Sequence, residues 1–579
     1  TLNIMKKYIS TILASLAMVS CVDTVLLPDD KTVDQDFWKT KSDVNQMVQG
    51  AYKSMLSADV MSRLIVWGDF RSDELNLVSS VTGSVPTALT EIDAVNMQTT
   101  NTFATWGGLY SVINNCNIVL DRSKAVMDVD PSYTEGDYQT DRSQMLALRS
   151  LCYFYLVRNF RDVPYSGKAY MNSSQEMNLP QLAPDSVLTL CIKDLEEASK
   201  TALDPTAFTD WRRTGWINKD GINAILADIY LWLGSVHHDA NYYQKCVEYC
   251  DKVIESKKEQ HVTGPGEVET KEYPIADANR AFDNIFVQGN AEESIFELQF
   301  DGTANSNTAL CQYYFKYAKD NSPSGFVRAA SIFGTAGSGQ PVYTQTGDLR
   351  FINNVFAPNT SLESYDIRKM IATSSLNSNP VGSKGEDRKT AVSRTYDRFA
   401  QNYIFYRLTD VMLMKAEALT QLAASDEDVQ LRQAFNLVQA VNSRSLYSAN
   451  LATDSLKFSY YKTRSNVETL VLQERLRELC FEGKRWYDLV RYNYRQVEGV
   501  DYSKTLYQQQ QEGKDFVRNN TDFLNLVTRK YSSGAAAAAA KMRTEPNLYL
   551  PVNQGDIDVN DKLHQNPAYK ADDEYKKNY

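Results

Sequence analysis

Apolar residues recur at intervals of three and four along much of the chain, the spacing that gives a helix one buried face. Across 221–234 this rhythm puts Ile222, Ile225, Leu226, Ile229 and Leu233 on one side and leaves Gly234 as a natural stop. A second helix is predicted over about 242–254. Similar stretches lie at 42–56, 106–122, 142–160, 185–201, 403–422 and 429–443. The strongest pattern is 467–491, where Leu472, Leu476, Leu479, Trp486 and Val490 keep a four-three rhythm with Gly483 filling one place. Its other faces carry Glu474, Arg475, Arg477, Glu478, Glu482, Lys484, Arg485, Asp488 and Arg491. A single long helix is expected there, its charges on a solvated face as spaced ion pairs worth about 0.3–0.5 kcal/mol each.

The pair 221–234 and 242–254 resembles a tetratricopeptide hairpin, whose antiparallel helices must stack on neighbours because one repeat cannot bury its own face. No strict repeat period joins the other helices to it, so the repeats are degenerate or interrupted. The expected fold class is mainly α: a scaffold of tetratricopeptide-like helix pairs with long irregular insertions. Between about 262 and 400 Gly, Ser, Asn, Thr and Pro dominate and helical periodicity fades, the signature of a long excursion from a helical body. The run Gly534–Ala540, a glycine followed by alanines, is compatible with a helical linker or with a placeholder for unidentified sequence.

Composition narrows the class of partner. With 43% hydrophobic residues the 579-residue chain has ample core material, and a net charge of -11 argues against a polyanion as main partner. The 35 Tyr and 7 Trp suit surface recognition, although core burial is the more ordinary fate of any one Tyr. The eight cysteines are scattered through a chain too long to need a disulfide framework.

The start of the chain has the layout of an export signal. Lys6 and Lys7 follow Met5, and an apolar stretch runs from Ile9 to Val19. That stretch is shorter than the roughly 20 residues a transmembrane helix requires. Small Ser20 before Cys21 resembles a bacterial lipobox, with Met18 where such a box usually has Leu. Cys21 is therefore the expected site of lipidation, with 1–20 as signal peptide, Thr1–Ile4 standing ahead of its start, and 21–40 as a polar tether.

Four ordered blocks extend the picture: 149–165 (Arg149-Ser-Leu-Cys-Tyr-Phe-Tyr to Val163-Pro-Tyr165), 403–419 (Tyr403-Ile-Phe-Tyr-Arg to Ala416-Glu-Ala-Leu419), 474–491 (Glu474-Arg-Leu-Arg-Glu to Phe481-Glu-Gly-Lys-Arg-Trp486), and Tyr549-Leu-Pro-Val552 with Asn566-Pro-Ala-Tyr569. Together they resemble the SusD/RagB family of surface lipoproteins from Bacteroidetes. The resemblance implies one SusD-like domain over 41–579, with helical scaffold at about 41–260 and 401–500, a ligand-binding excursion at about 262–400 and C-terminal loops at 501–579. It also implies capture of glycans at the outer surface and their delivery to a SusC-like TonB-dependent transporter, with the lipid on Cys21 as membrane anchor. Arg485, Asp488 and Arg491 are expected to tie the last long helix to its neighbours.

The segment 67–76 resembles the family's early loop near the glycan site. Asp73, Glu74 and Asn76 are the expected partners for sugar hydroxyls and Trp67 a stacking platform; the alternative is that Trp67 is core and Asp73 caps a helix. Further aromatic candidates in the excursion are Tyr313, Tyr314, Tyr317, Phe326, Phe333 and Tyr343, because sugar C–H faces pack on aromatic rings.

His237, His238, Cys246 and Cys250 form the only His and Cys cluster in the sequence, but the cysteines fall on a packed helix where they act as small apolar residues. No metal or cofactor is expected. The sequence contains no His-Glu-x-x-His, phosphate loop or Gly-x-Ser-x-Gly elbow, so a binding protein is expected rather than an enzyme. Oligopeptide capture within the same family and, more remotely, glycoside hydrolysis are the alternatives.

Overall fold

A computed structural model describes residues 37–78, 85–172, 174–261, 272–314, 325–334, 342–345, 347–355, 367–371 and 399–569. Cys21, the signal, most of the tether and Tyr317 lie outside them. The longer helices are α1 (Lys41–Met55), α2 (Ala58–Ile65), α3 (Gly107–Val126), α4 (Glu135–Phe160), α5 (Pro184–Ser199), α6 (Lys219–His237), α7 (Ala240–Gln260), α8 (Leu408–Leu422), α9 (Val429–Arg444), α10 (Arg464–Leu479) and α11 (Arg485–Arg495). They pack as successive neighbours: α1 on α3, α3 on α4, α4 on α5, α6 on α7, α7 on α8, α8 on α9 and α10. The fold is mainly helical and of the tetratricopeptide-like kind.

Capping chemistry sets several starts. Thr40 and Thr134 each accept from the backbone of an aspartate three residues on, whose carboxylate in turn accepts from the cap, so two orphan amides are satisfied at once. Helix α6 runs past Gly234 and ends at His238, which is left-handed with φ 52°. Gly234 instead permits close approach of α7, since a Cβ there would lie 2.8 Å from the Tyr243 ring.

Three two-stranded antiparallel ribbons are found among the described residues: β1 (Leu75–Leu77) with β5 (Val327–Ala329), β2 (Val163–Pro164) with β3 (Gln181–Leu182), and β4 (Ser294–Leu298) with β6 (Tyr403–Arg407). The helix expected over 403–422 therefore begins only at Leu408. Its first five residues, Tyr-Ile-Phe-Tyr-Arg, are a fully buried strand, as their aromatic and β-branched content favours. The C-terminal region, expected as loops, carries the short helices Leu506–Gln511, Thr521–Thr528, Ala535–Lys541 and Gln554–Val559.

The expectation for 467–491 is corrected most. The segment is two helices, broken at residues 480–484 by Phe481 and Gly483, both at positive φ (65° and 72°). Glycine is required at the second position, where a Cβ would collide with the Tyr403 hydroxyl. The charges are not solvated: all nine are buried. Arg407 donates to Glu482 (2.9 and 2.8 Å), Glu478 (2.6 Å) and Glu293 (3.1 Å). Arg350 reaches Glu474 (2.8 Å) and Glu478 (2.9 Å), and Lys369 reaches Glu482 (2.6 Å). On the other side Arg475 bridges Asp410 and Asp488, and Arg491 bridges Glu417 and Asp488. Buried charges need such partners, because desolvation costs several kcal/mol per ion.

Candidate functional site

Segment 67–76 runs from a π-helical turn (Val66–Phe70) into β1, and it corrects the site expected there. Trp67 is fully buried; its Nε1 donates to the Phe103 carbonyl (2.9 Å) and its ring meets Phe160 edge-on. It presents no stacking face to solvent. Asp73 accepts from Arg485 (2.9 and 3.1 Å) and from Arg529 (2.8 Å), and these guanidiniums hold its carboxyl well below the usual range. Glu74 is equally buried, accepts a weak bond from the Phe481 amide (3.4 Å), and is pushed well up by burial and by the neighbouring Asp69. Asn76, half-buried in β1, donates to the Lys530 carbonyl (3.2 Å). Trp67, Asp73 and Asn76 are thus bonded within the protein, and Glu74, although its Oε1 has no partner, is fully buried and out of reach of sugar hydroxyls.

Of the aromatic candidates, Tyr313, Tyr314, Phe333 and Tyr343 are likewise internal and Phe326 is half-buried. Tyr314 donates to Asp69 (3.1 Å), and Tyr343 donates to the Arg477 carbonyl (3.1 Å) while accepting from Asn354 (2.9 Å). Tyr313 packs edge-on against Phe103 and Phe326, and Phe333 lies between Tyr343 and Phe481. Each of these rings fills space against the turn at 480–484 or the segment that packs on it. Cys246 and Cys250 are buried with their sulfurs 4.0 Å apart, and His237 and His238 bond to Asp185 and to the Tyr494 carbonyl. Among the described residues no group of three or more His, Cys, Asp or Glu is placed to hold a metal.

Segment 67–76 nevertheless borders a cleft, through Arg71. The cleft encloses about 600 Å³, within the range of ligand sites. Its floor is Trp486, at the start of α11, with the Arg71 guanidinium stacked on the indole at 4.3 Å. Arg71 is fixed by the Asn159 side chain (3.3 Å) and the Leu548 carbonyl (2.5 Å), and burial lowers it to about 10. The opposing rim is 92–99, held down by Tyr531, which donates to the Asp93 carbonyl (2.7 Å), and by Lys541, which donates to the Ala94 carbonyl (2.8 Å). Asn96 and Gln98 stand exposed on that rim, and Tyr569 closes the third side.

The Trp486 indole N–H is buried and has no hydrogen-bond partner. An unpaired buried donor costs about 1–3 kcal/mol. The cleft offers aromatic surface, two cations and two exposed amides. None of its lining residues is Asp or Glu, whereas glycoside hydrolysis ordinarily uses two facing carboxyls. The sequence pattern puts Trp486 in the scaffold and Tyr569 in the C-terminal loops, and of the early loop it singles out Trp67, Asp73, Glu74 and Asn76 but not Arg71. The available signal was that the early loop and two of the four quoted blocks each contribute one aromatic or cationic residue here.

Residues 353–569 match the family model described as "SusD family", and residues 26–245 the one described as "Starch-binding associating with outer membrane". Two SusD-like proteins of Formosa agariphila are each 24% identical, one over 498 residues (83% of this chain, 90% of the relative) and one over 517 (84% and 91%). Among solved structures, a SusD homolog from Bacteroides thetaiotaomicron superposes with a TM-score of 0.68 at 16% identity, covering 93% of this chain and 99% of the other. NanU of B. fragilis does so with a TM-score of 0.64 at 18% identity, covering 94% and 100%.

Proposed function

This chain belongs to the SusD/RagB family, whose members are outer-membrane-associated nutrient binders, and from that premise we propose that it captures glycan in the Trp486 cleft and passes it to a SusC-like TonB-dependent transporter. The observation that carries the proposal is the cleft itself: a ligand-sized space lined by Trp486, Tyr531 and Tyr569 and edged by the exposed amides of Asn96 and Gln98. Sugar hydroxyls offer both donor and acceptor functions to the amides, and sugar C–H faces pack on aromatic surface. The body over 41–569 acts in this reading as one capturing domain, tethered to the outer-membrane surface through lipid on Cys21. It binds and releases cargo without chemical change.

Affinity electrophoresis against a panel of polysaccharides, starch included, tests the capture. Retardation is expected for the native chain and loss of it for the Asn96→Ala/Gln98→Ala double variant; unchanged mobility of that variant would remove the cleft from the proposal. Oligopeptides in the same panel separate peptide from glycan capture. Oligosaccharide release above a heat-killed control would replace binding by hydrolysis. Co-purification from detergent-solubilised outer membranes should recover a large β-barrel protein, and repeated failure to do so would count against the transporter.

A further inference from the structure

A second cleft, of about 450 Å³, lies next to the first and shares none of its lining residues. The two are separated by a thin wall in which the Gln554 amide donates to the Thr99 carbonyl (3.0 Å) and Asn553 donates to the Asn101 carbonyl (3.4 Å). Thr99 lines the first cleft, and Asp556, two residues beyond Gln554, lines the second.

The second cleft is built on one face of α3. Tyr110, Asn114 and Asn117, spaced four and three apart, point into it, with Trp106 at the helix start meeting Tyr110 edge-on at 5.9 Å. Most of its polar side chains are already spent. Asn114 donates to the Tyr170 carbonyl (2.8 Å), Asn117 to the Ser166 and Lys168 carbonyls (3.1 and 3.0 Å), and Tyr110 to the Pro164 carbonyl. Asn178 and Asn560 likewise donate to backbone carbonyls. These amides hold the walls and leave little for a ligand.

Asp556 is the exception. Its Oδ2 is buried without a hydrogen-bond partner, and burial pushes its carboxyl up with no cation to oppose the shift. The ammonium of Lys562, on the same segment, is committed to the Asn178 carbonyl (2.8 Å) and to Glu176 (3.3 Å). The rim is apolar: Met177 and Val559 remain 49% and 73% exposed. A carboxylate short of a counter-charge, set among tyrosine and tryptophan rings under an apolar lip, is complementary to an ammonium carried on a body with an apolar face.

We propose that the Asp556 cleft is a second ligand site, which takes the ammonium of an amine-bearing sugar unit against the Asp556 carboxylate. The choice of a sugar rests on the glycan reading of the first cleft. The charge requirement rests on this cleft alone.

Titration calorimetry with the disaccharide of two glucosamine units, and with its N,N′-diacetylated form, tests it under conditions where the amines are protonated. The native chain should bind the diamine at least tenfold more tightly than the acetylated form, and Asp556→Asn should abolish that preference. Asp558→Asn, which changes an exposed carboxylate on the same short helix, should leave the preference intact. Equal affinity for the two disaccharides, or an equal loss in the Asp558 variant, would overturn the site. Binding of a free dipeptide amine in place of the diamine sugar would overturn the sugar assignment. Because Asn96 and Gln98 do not line this cleft, the Asn96→Ala/Gln98→Ala variant reports on the first site separately, and either reading can fail while the other stands.

Discussion

The turn joining α10 to α11 and the cleft beside it share the first turn of α11, yet they treat polar groups in opposite ways. In the turn region every charged side chain finds a partner: Arg407 alone meets three glutamates, and Asp410 is held down to about 2 by Lys484 and Arg475 despite complete burial. Two residues beyond the turn, Trp486 leaves its indole N–H unpaired, and Arg71 above it has only one neutral side chain, one carbonyl and a ring face. A satisfied network fixes geometry and has nothing left to offer a ligand. The exposed rim amides of the cleft beside it are the groups that the proposed ligand would meet.

The largest way to break this contrast is to remove one member of the satisfied side. Glu478→Gln removes the charge facing Arg407, Arg350 and Arg444, and thermal or denaturant unfolding should show a loss of about 3–5 kcal/mol. Next comes Gly483→Ala, which adds a Cβ at φ 72° against the Tyr403 hydroxyl. A loss of about 1–3 kcal/mol is expected, and a melting temperature equal to the native one would contradict the close packing of strand β6 on this turn.

Three carboxyl groups sharpen the contrast through pH. Asp73 and Asp410, depressed by their guanidinium and ammonium partners, contribute stability that is present above the ordinary carboxylate value and is lost as pH falls through their lowered values. Asp69 behaves oppositely. It is raised to about 7 by burial, with only Tyr314, the Gly483 amide and the Glu74 carboxyl as partners. Its contribution is full below about 4 and fades as pH rises toward 7. Asp69→Asn should therefore flatten the decline in melting temperature over that window, and an unchanged decline would place its origin elsewhere.

The smallest expected effect on stability lies on the unspent side. Asn96→Ala/Gln98→Ala alters exposed rim amides and should change stability by no more than about 0.5 kcal/mol per site while losing glycan retardation. A destabilised variant would mean that the rim is scaffold after all.

Helices α1 and α3 to α9 were legible because a period near 3.6 is written locally, and each such helix buries one face whatever its partner. Boundaries erred where a local rule met a tertiary demand, as at Gly234, where close approach of Tyr243 outweighed helix termination. The charges of 474–491 were misread for a related reason. A mixed run of Glu and Arg looks the same in sequence whether solvated or buried, and the partners that decide the matter, Arg350, Lys369, Arg407, Asp410 and Arg444, are distant in the chain.

The early loop shows the same division. Its Trp, Asp and Glu carry the chemistry that glycan sites use, but the Phe103 carbonyl takes the Trp, Arg485 and Arg529 take the Asp, and complete burial removes the Glu. By itself the sequence determined a mainly helical body of stacked pairs, because side-chain periodicity is a property of neighbours along the chain. Only the tertiary structure decided which polar groups were spent and which remained, because a hydrogen bond or ion pair across hundreds of residues leaves no local mark on either partner.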